Sequence, residues 1–389
     1  MVFKMRTLIV EDDPSEQDSW NQVIELHNVE ADAHGFEIVH QTVATLAEAR
    51  RAISIGNYDA AVVDIRLKQE NGNAAPNTDG NDVLAVILES EMAVVAVFTG
   101  EAAMATPPNA LKQVVGLFTK GGGDGEGTAA VVSWLKEQVP MVRHIQEAQL
   151  VIRQEMANIF TKSIWPRWTH WAVDNASSKF VSAALTRHIT SHIYATLLEK
   201  GRHEAHPEEW YFVPPIRDGI RTGDLIQIES GPIEIVITPR CDLARDTKNE
   251  TIQLAQCQDV SEEWTQRLRT LDEARVALAG SQLPNGDRER GKLEGKVSTA
   301  DNHLRQFTQH RNNTNLHFLP QMKLSNGTVG PLMVRFDTIR SVSRASEEAK
   351  VKMPQSRIAA LTPEFLPSLV ERLGTYFSRI GTPDYSHPD

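Results

Sequence analysis

Tyr58-Asp59-Ala60-Ala61-Val62-Val63-Asp64 decides the fold of the first third of this 389-residue chain. Four consecutive apolar residues, 60–63, are too few to form a helix and stop on an acid. A run that is apolar at every position, not at alternate ones, belongs to a strand covered on both faces, as in a parallel sheet. The same signature stands upstream at Thr7-Leu8-Ile9-Val10, which runs straight into Glu11-Asp12-Asp13. It recurs at residues 93–98 before Thr99, and in short form at Leu117-Phe118-Thr119 before Lys120. Residues 36–40 supply a further strand. Between these runs the apolar period lengthens to that of helices, over residues 14–26 (with Pro14 in the first turn), 46–55, 83–88 and 128–139. Such alternation predicts an α/β domain built on a five-stranded parallel sheet, spanning residues 1–140.

Beyond Pro140 the pattern changes. Residues 141–162 read as an amphipathic helix with Val142, Ile145, Ala148, Ile152, Met156 and Ile159 at helical spacing, and residues 179–199 as a second helix. Together they form a helical connector, 141–200. Trp165, Trp168 and Trp171, three residues apart, are expected to form a helical core or a domain-contact stripe. Trp210-Tyr211-Phe212-Val213-Pro214-Pro215 ends the helical region, and short strand-like runs follow at 224–228, 233–237, 251–255, 316–319 and 332–336. The polar stretch 259–313 interrupts them with two helical segments, 262–278 and 291–307, split by Gly280-Ser281-Gln282-Leu283-Pro284-Asn285-Gly286-Asp287. Residues 201–389 are therefore expected to form a mainly β, small barrel-like domain with a helical-hairpin insertion. A closing helix is expected at 363–380, capped by Thr362, with Pro363 in its first turn and an apolar face of Leu366, Leu369, Val370, Leu373, Tyr376, Phe377 and Ile380.

Composition narrows the function. Hydrophobic residues make up 41% and charged residues 23% of the chain, enough to build a core. Mean hydropathy is −0.33, and no apolar stretch reaches the roughly 18 residues of a membrane span. The opening residues meet acids too soon for a secretory leader, so a cytoplasmic protein is expected. Cys241 and Cys257 are too few for a disulfide framework or a four-cysteine zinc site. Residues 1–140 hold 9 Lys and Arg against 21 Asp and Glu, whereas the remainder holds 31 against 30. The first part repels phosphate backbones and the second lacks the basic excess of a DNA-binding domain, so a nucleic-acid partner is not expected.

Five side chains stand where strands should end: Glu11 and Asp12, Asp64, Thr99, and Lys120. In an open parallel sheet these ends share one edge, where ligands bind. Three gathered carboxylates repel one another, and their natural partner is a hard divalent cation, Mg²⁺ above all. With that charge offset, Asp64 could act as nucleophile toward a phosphoryl group while the hydroxyl of Thr99 and the ammonium of Lys120 hold its oxygens.

These motifs (Leu8-Ile9-Val10-Glu11-Asp12-Asp13, Tyr58 through Asp64, Phe98-Thr99-Gly100 and Phe118-Thr119-Lys120) make residues 5–139 resemble the receiver domain of a two-component response regulator. The resemblance implies a flavodoxin-like, doubly wound fold and transfer of a phosphoryl group from a sensor histidine kinase to Asp64. It assigns Asp12 as a direct Mg²⁺ ligand, Glu11 as a water-mediated one and the carbonyl of Arg66 as a third contact. Asp13 reads as an acidic neighbour, although the acidic pair could slide by one residue. Three departures from the family pattern bear on the output switch. Gly121 replaces the proline expected after the lysine, Leu117 stands at the aromatic switch position, and the loop from Lys68 to Asp79 is long and polar.

Residues from 200 onward weakly resemble an uncharacterised domain found beside receivers in bacterial conflict and phage-defence gene clusters. The pieces are Gly223-Asp224-Leu225-Ile226, residues 237–243, Phe318-Leu319-Pro320 and residues 377–383. No helix-turn-helix, Walker loop or HExxH motif is present. The leading expectation is a response regulator whose output is contact with an unidentified protein partner, with a homodimer through the 141–162 helix as one route. Alternatives are a phospho-regulated enzyme using Cys241 with His317 as base, and a transcriptional regulator with an unfamiliar DNA-binding domain. Cys241 reads more simply as a small buried residue at a strand end, and His203 and His206 as a solvated loop in preference to a metal site.

Overall fold

The structure, a computed structural model, describes residues 2–67, 78–121, 127–171, 178–200, 205–216, 218–244, 250–284, 286–309 and 313–378. The chain divides into two compact units, residues 1–200 and 201–389.

In the first unit the apolar runs become strands β1 (Phe3–Val10), β2 (Phe36–Val43), β3 (Ala60–Val63), β4 (Val94–Thr99) and β5 (Gly116–Thr119). All neighbours are parallel, in the order β2-β1-β3-β4-β5. Alternate side chains feed two cores. On one face Leu8, Val10, Ala61, Val63, Val95 and Val97 pack with the helices Leu46–Ile55 and Asp79–Ser90. On the other, Ile9, Val62, Ala96 and Phe98 pack with Trp20 and Ile24 of the helix Pro14–Val29 and with Val131, Leu135 and Val139 of the helix Thr128–Ile159. The sheet is thus doubly wound and flavodoxin-like. The crossover from β4 to β5 contains only two single 3₁₀ turns, Ala102–Met104 and Asn109–Leu111. Pro107 and Pro108, which lack N–H donors, fall between those turns.

Pro140 does not end its helix. The helix Thr128–Ile159 runs unbroken through it for 32 residues, joining two segments that the proline separates in the sequence. Val139 and Val142 are both buried in the same core, so packing on either side of Pro140 outweighs the hydrogen bond it removes. The apolar stripe beyond it divides: Val142 and Ile159 are buried, whereas Ile152 and Met156 are exposed. Trp165 and Trp168 are likewise on the surface and form no helical core, with 66% and 48% of their area exposed. Trp171 lies 5.1 Å from the His188 ring of the helix Ser178–Lys200.

The second unit is an antiparallel sheet of seven strands, ordered β10-β13-β9-β8-β7-β14-β6. Its strands are β6 (Tyr211–Phe212), β7 (Asp224–Gln227), β8 (Ile233–Val236), β9 (Thr251–Asp259), β10 (Leu316–Leu319), β13 (Leu332–Ser343) and β14 (Arg357–Leu361), with a small separate hairpin of β11 (Met322–Leu324) and β12 (Gly327–Val329). The register of β13 against β9 slips between Arg335 and Ile339, and such bulges bend a strand. The sheet curls into a half-barrel around Leu225, Ile235, Ala255, Val334 and Phe336. Its two edges approach each other, since the Tyr211 hydroxyl on β6 donates 2.7 Å to the carbonyl of Pro320, just past β10. Tyr211→Phe should lower the stability of this unit in urea denaturation by about 1–2 kcal/mol, the cost of a buried carbonyl left without its donor.

The helices Ser261–Ala279 and Arg288–Gln309 pair as the hairpin inserted between β9 and β10. Trp264, Phe307 and Phe318 join this hairpin to the sheet. The closing helix is Leu366–Phe377, with Pro367 in its first turn. Thr362 does not cap it: its hydroxyl donates to the Glu209 carbonyl and its amide to that of Trp210. Residues 362–365 form a turn instead, with Leu366 N–H donating to Thr362 O. Ile380 lies outside the described residues, as does most of the Lys68–Asp79 loop.

Candidate functional site

Four of the five side chains expected at strand ends, Glu11, Asp12, Asp64 and Lys120, meet at the C-terminal edge of the parallel sheet. Carboxylate atoms of Glu11, Asp12 and Asp64 lie within 4.8 Å of one another. They come together because β1 pairs with β3 in a register that sets Val10 beside Val63, so both acidic ends leave the sheet at one level. The Asp64 amide donates 2.9 Å to the Val10 carbonyl, and the Glu11 amide 2.9 Å to that of Val43. Lys120 follows β5 and carries its ammonium into the group, 2.6 Å from Asp64 Oδ2 and 2.6 Å from Glu11 Oε2.

Thr99 ends β4 and is 1% exposed. Val63 pairs with Val97, so Thr99 stands one residue further along this edge than Asp64. Its Oγ1 accepts a long 3.4 Å bond from the Glu101 amide. Arg66 approaches Asp64 through its backbone, the amide donating 3.3 Å to Oδ1. Its guanidinium turns away and pairs with Glu101 at 2.5 Å. Asp13 supports the backbone of the site. It caps the helix Pro14–Val29, its carboxylate accepting from Ser15 N at 2.9 Å. The Asp-Pro pair at the helix start is the sequence signal for that cap.

The electrostatics follow from burial. Desolvation pushes the Glu11 carboxyl up to about 7, despite the opposing hydrogen bond and charge of Lys120 and the Asp13 amide; the Asp64 charge adds to the rise. Burial alone would pull the Lys120 ammonium down, but its bonds to Asp64 and Glu11 win and its pKa is raised. The ammonium is therefore a fixed positive charge held between two carboxylates. Oxygen donors from three carboxylates in this space suit a hard divalent cation such as Mg²⁺. Such an ion would draw on Glu11, Asp12 and Asp64.

Gly80 is a neighbour that no sequence motif points to. A Cβ built there would stand 2.0 Å from the Asp64 carbonyl oxygen and 2.6 Å from Ile65 Cα, both backbone atoms. Its amide donates 3.1 Å to Ile65 O, so the start of the helix Asp79–Ser90 presses directly on the segment bearing Asp64. Gly80→Ala should cost about 1–3 kcal/mol in chemical denaturation, because backbone must move to admit the methyl group. A glycine of this kind has no sequence signature beyond its place in a turn-like Asp-Gly pair.

The thiol site does not assemble. Cys241 is exposed, not buried, and sits on the short helical turn Arg240–Leu243 beyond the Val236 end of β8. His317 is buried on β10, level with Val334, Cys257 and Ile233, at the other end of β8. The register thus holds Cys241 and His317 several residues apart along the strands. His206 caps the turn Pro207–Trp210 by accepting from Glu208 N at 3.2 Å, and His203 lies outside the described residues. No described helix is long and apolar enough to cross a membrane.

No protein-family model matches the chain, and no curated protein matches it. Among solved structures, the signal receiver domain of a putative LuxO repressor protein from Vibrio parahaemolyticus aligns at 20% identity over 38% of this chain and 98% of its own, with a TM-score of 0.26. The response regulator TrrA from Thermotoga maritima, in complex with Mg²⁺-BeF, aligns at 20% identity over 36% of this chain and 98% of its own, with a TM-score of 0.21. Likenesses of this strength add nothing to what the sheet and its edge already show.

Proposed function

We propose that the first unit is the receiver of a two-component response regulator, taking a phosphoryl group from a histidine kinase onto Asp64. The observation that carries this reading is the convergence of Glu11, Asp12, Asp64 and Lys120 at one sheet edge, three carboxylates within 4.8 Å and an ammonium 2.6 Å from two of them. In the transfer, an Asp64 carboxylate oxygen forms a bond to phosphorus while the phosphorus–nitrogen bond of the donor histidine breaks and its electron pair leaves with the imidazole. Mg²⁺ would supply charge neutralisation for the incoming phosphoryl oxygens, held by Glu11, Asp12, Asp64 and the Arg66 carbonyl. Lys120 is already at the Asp64 carboxylate and pairs with a phosphoryl oxygen, and the Thr99 hydroxyl, whose oxygen accepts a long 3.4 Å bond from the Glu101 amide, donates its proton to another.

The output is contact with a protein partner, driven by the added charge on Asp64. The exposed aromatic residues of the helical region, Trp165 and Phe180 among them, offer a surface for it, including contact with a second copy of the chain. Incubation with acetyl phosphate and Mg²⁺ tests the chemistry. Intact-mass analysis should show one added phosphoryl group, labile to hydroxylamine, on the wild type and none on Asp64→Asn. Equal labelling of both proteins, or of neither, would sink the reading.

A further inference from the structure

An open cleft of about 900 Å³ lies in the second unit, at the Val236–Ile252 end of the half-barrel. Ligand sites for small molecules fall in the range of about 300–1,000 Å³. Ile220, Leu243 and Ile252 are the large apolar side chains in its lining. Around them stand charges of both signs: Arg221, Arg344 and Lys350, and Asp218 and Glu250. Opposite charges sharing a cleft usually collapse into pairs, yet among the described residues no ion pair forms between Asp218, Arg221, Glu250 and Lys350. All four side chains are exposed. Arg344 donates from its guanidinium to the carbonyls of Asp242 and Leu243, fixing the turn that carries Leu243, and from its amide to Glu250 O. Beneath them two buried hydroxyls lock the strand ends: Thr222 donates to the Thr238 carbonyl, and Thr238 accepts from the Gln253 amide. Of the segment 239–243, conspicuous in the sequence, Leu243 thus reaches the cavity lining.

We propose that this cavity binds a nucleotide. Arg221 and Lys350, whose side chains form no ion pair within the cavity, would take the phosphate, as charge-assisted donors do. Asp218 and Glu250 are acceptor-only groups matched to the hydroxyls of a ribose, the recognition that acidic residues perform in dinucleotide folds. Ile220, Leu243 and Ile252 offer apolar surface to the base. An inorganic anion alone would leave the carboxylates and the apolar surface unused. The proposal is independent of Asp64 and of the receiver reading.

Calorimetric titration of the full chain, in chelator so that no divalent ion bridges the ligand to the first unit, decides it. The probes are ATP, GTP, CTP, UTP, AMP, 2′-deoxy-AMP, adenosine and inorganic phosphate. At least one nucleoside triphosphate should saturate a single site with a dissociation constant near or below about 0.1 mM. Lys350→Glu and Arg221→Glu, both at exposed positions, should keep the wild-type circular dichroism and weaken that nucleotide about ten- to a hundredfold. Glu250→Gln should narrow the preference for ribose over deoxyribose. No saturable binding of any nucleotide, binding that both charge reversals leave intact, or inorganic phosphate binding as tightly as the nucleotides would each overturn the proposal.

Discussion

Lys120→Met should destabilise the metal-free protein by about 3 kcal/mol at pH 8, the lower end of what removing one partner from a buried ion pair costs. The lower end applies because the Lys120 side chain keeps 16% of its exposure, while Glu11 and Asp64 keep 2% and 8%. The ammonium is the only described cation within 4 Å of either carboxylate, so its loss leaves two near-buried negative charges facing each other. Methionine restores most of the aliphatic stem, including its packing near Phe98, whose ring centroid is 5.8 Å from Nζ. The change therefore isolates the charge. Glu11 limits the damage by taking up a proton. At pH 6, where the wild-type Glu11 already holds its proton most of the time, the loss should shrink to about half. Added Mg²⁺ should stabilise Lys120→Met more than the wild type, because the ion then has no resident ammonium to displace. Urea denaturation at the two pH values, with chelator and with Mg²⁺, reads all three effects. A variant as stable as the wild type at pH 8 in chelator would show that the three side chains do not share one site.

The sheet was legible because its strands are short, doubly covered and end in acids; residues 60–63 and 7–10 announce themselves without any partner in view. The gathering of Glu11, Asp12, Asp64 and Lys120 follows from that alone, since parallel strands put all their C-terminal ends on one edge. What escaped was decided by contacts between distant residues. Pro140 looks like a boundary until Val139 and Val142 are seen packing into one core. Thr362 and Pro363 carry a proper helix-start pattern, but the Thr362 hydroxyl finds the Glu209 carbonyl 153 residues earlier and the helix begins after it. Cys241 and His317 could be paired on paper; only the register of β8, β9, β13 and β10 keeps them apart. Gly80 shows the same limit from the other side, since nothing local reveals that the Asp64 carbonyl occupies the space where its Cβ would stand.

Glu11 should also leave a signature in the wild-type protein: in chelator, stability falls by about 3 kcal/mol between pH 4.5 and pH 7 on its account. The sign follows from the direction of the shift. Burial raises the carboxyl from an ordinary 4.5 to about 7, so the folded state holds this proton over a range in which the unfolded chain has released it. Stability from that proton is fully present below pH 4.5 and is lost as pH rises through 7. His27 works against it, since burial lowers its pKa and stability from its neutral ring falls away as pH drops below 6.5. The net slope of the wild type therefore mixes several groups, His40 and Asp224 also being shifted by burial, and the informative quantity is the difference from Glu11→Gln. That variant keeps the shape and an acceptor oxygen for Lys120 but cannot titrate, so its stability should overtake the wild type above about pH 6 and lack the acid-side gain. A saturating divalent cation should abolish the difference in slope, because an ion coordinated by Glu11 displaces the proton and makes metal binding release it. Parallel slopes for wild type and Glu11→Gln in chelator would place the Glu11 carboxyl in solvent contact and break the argument that burial sets the charge of this site.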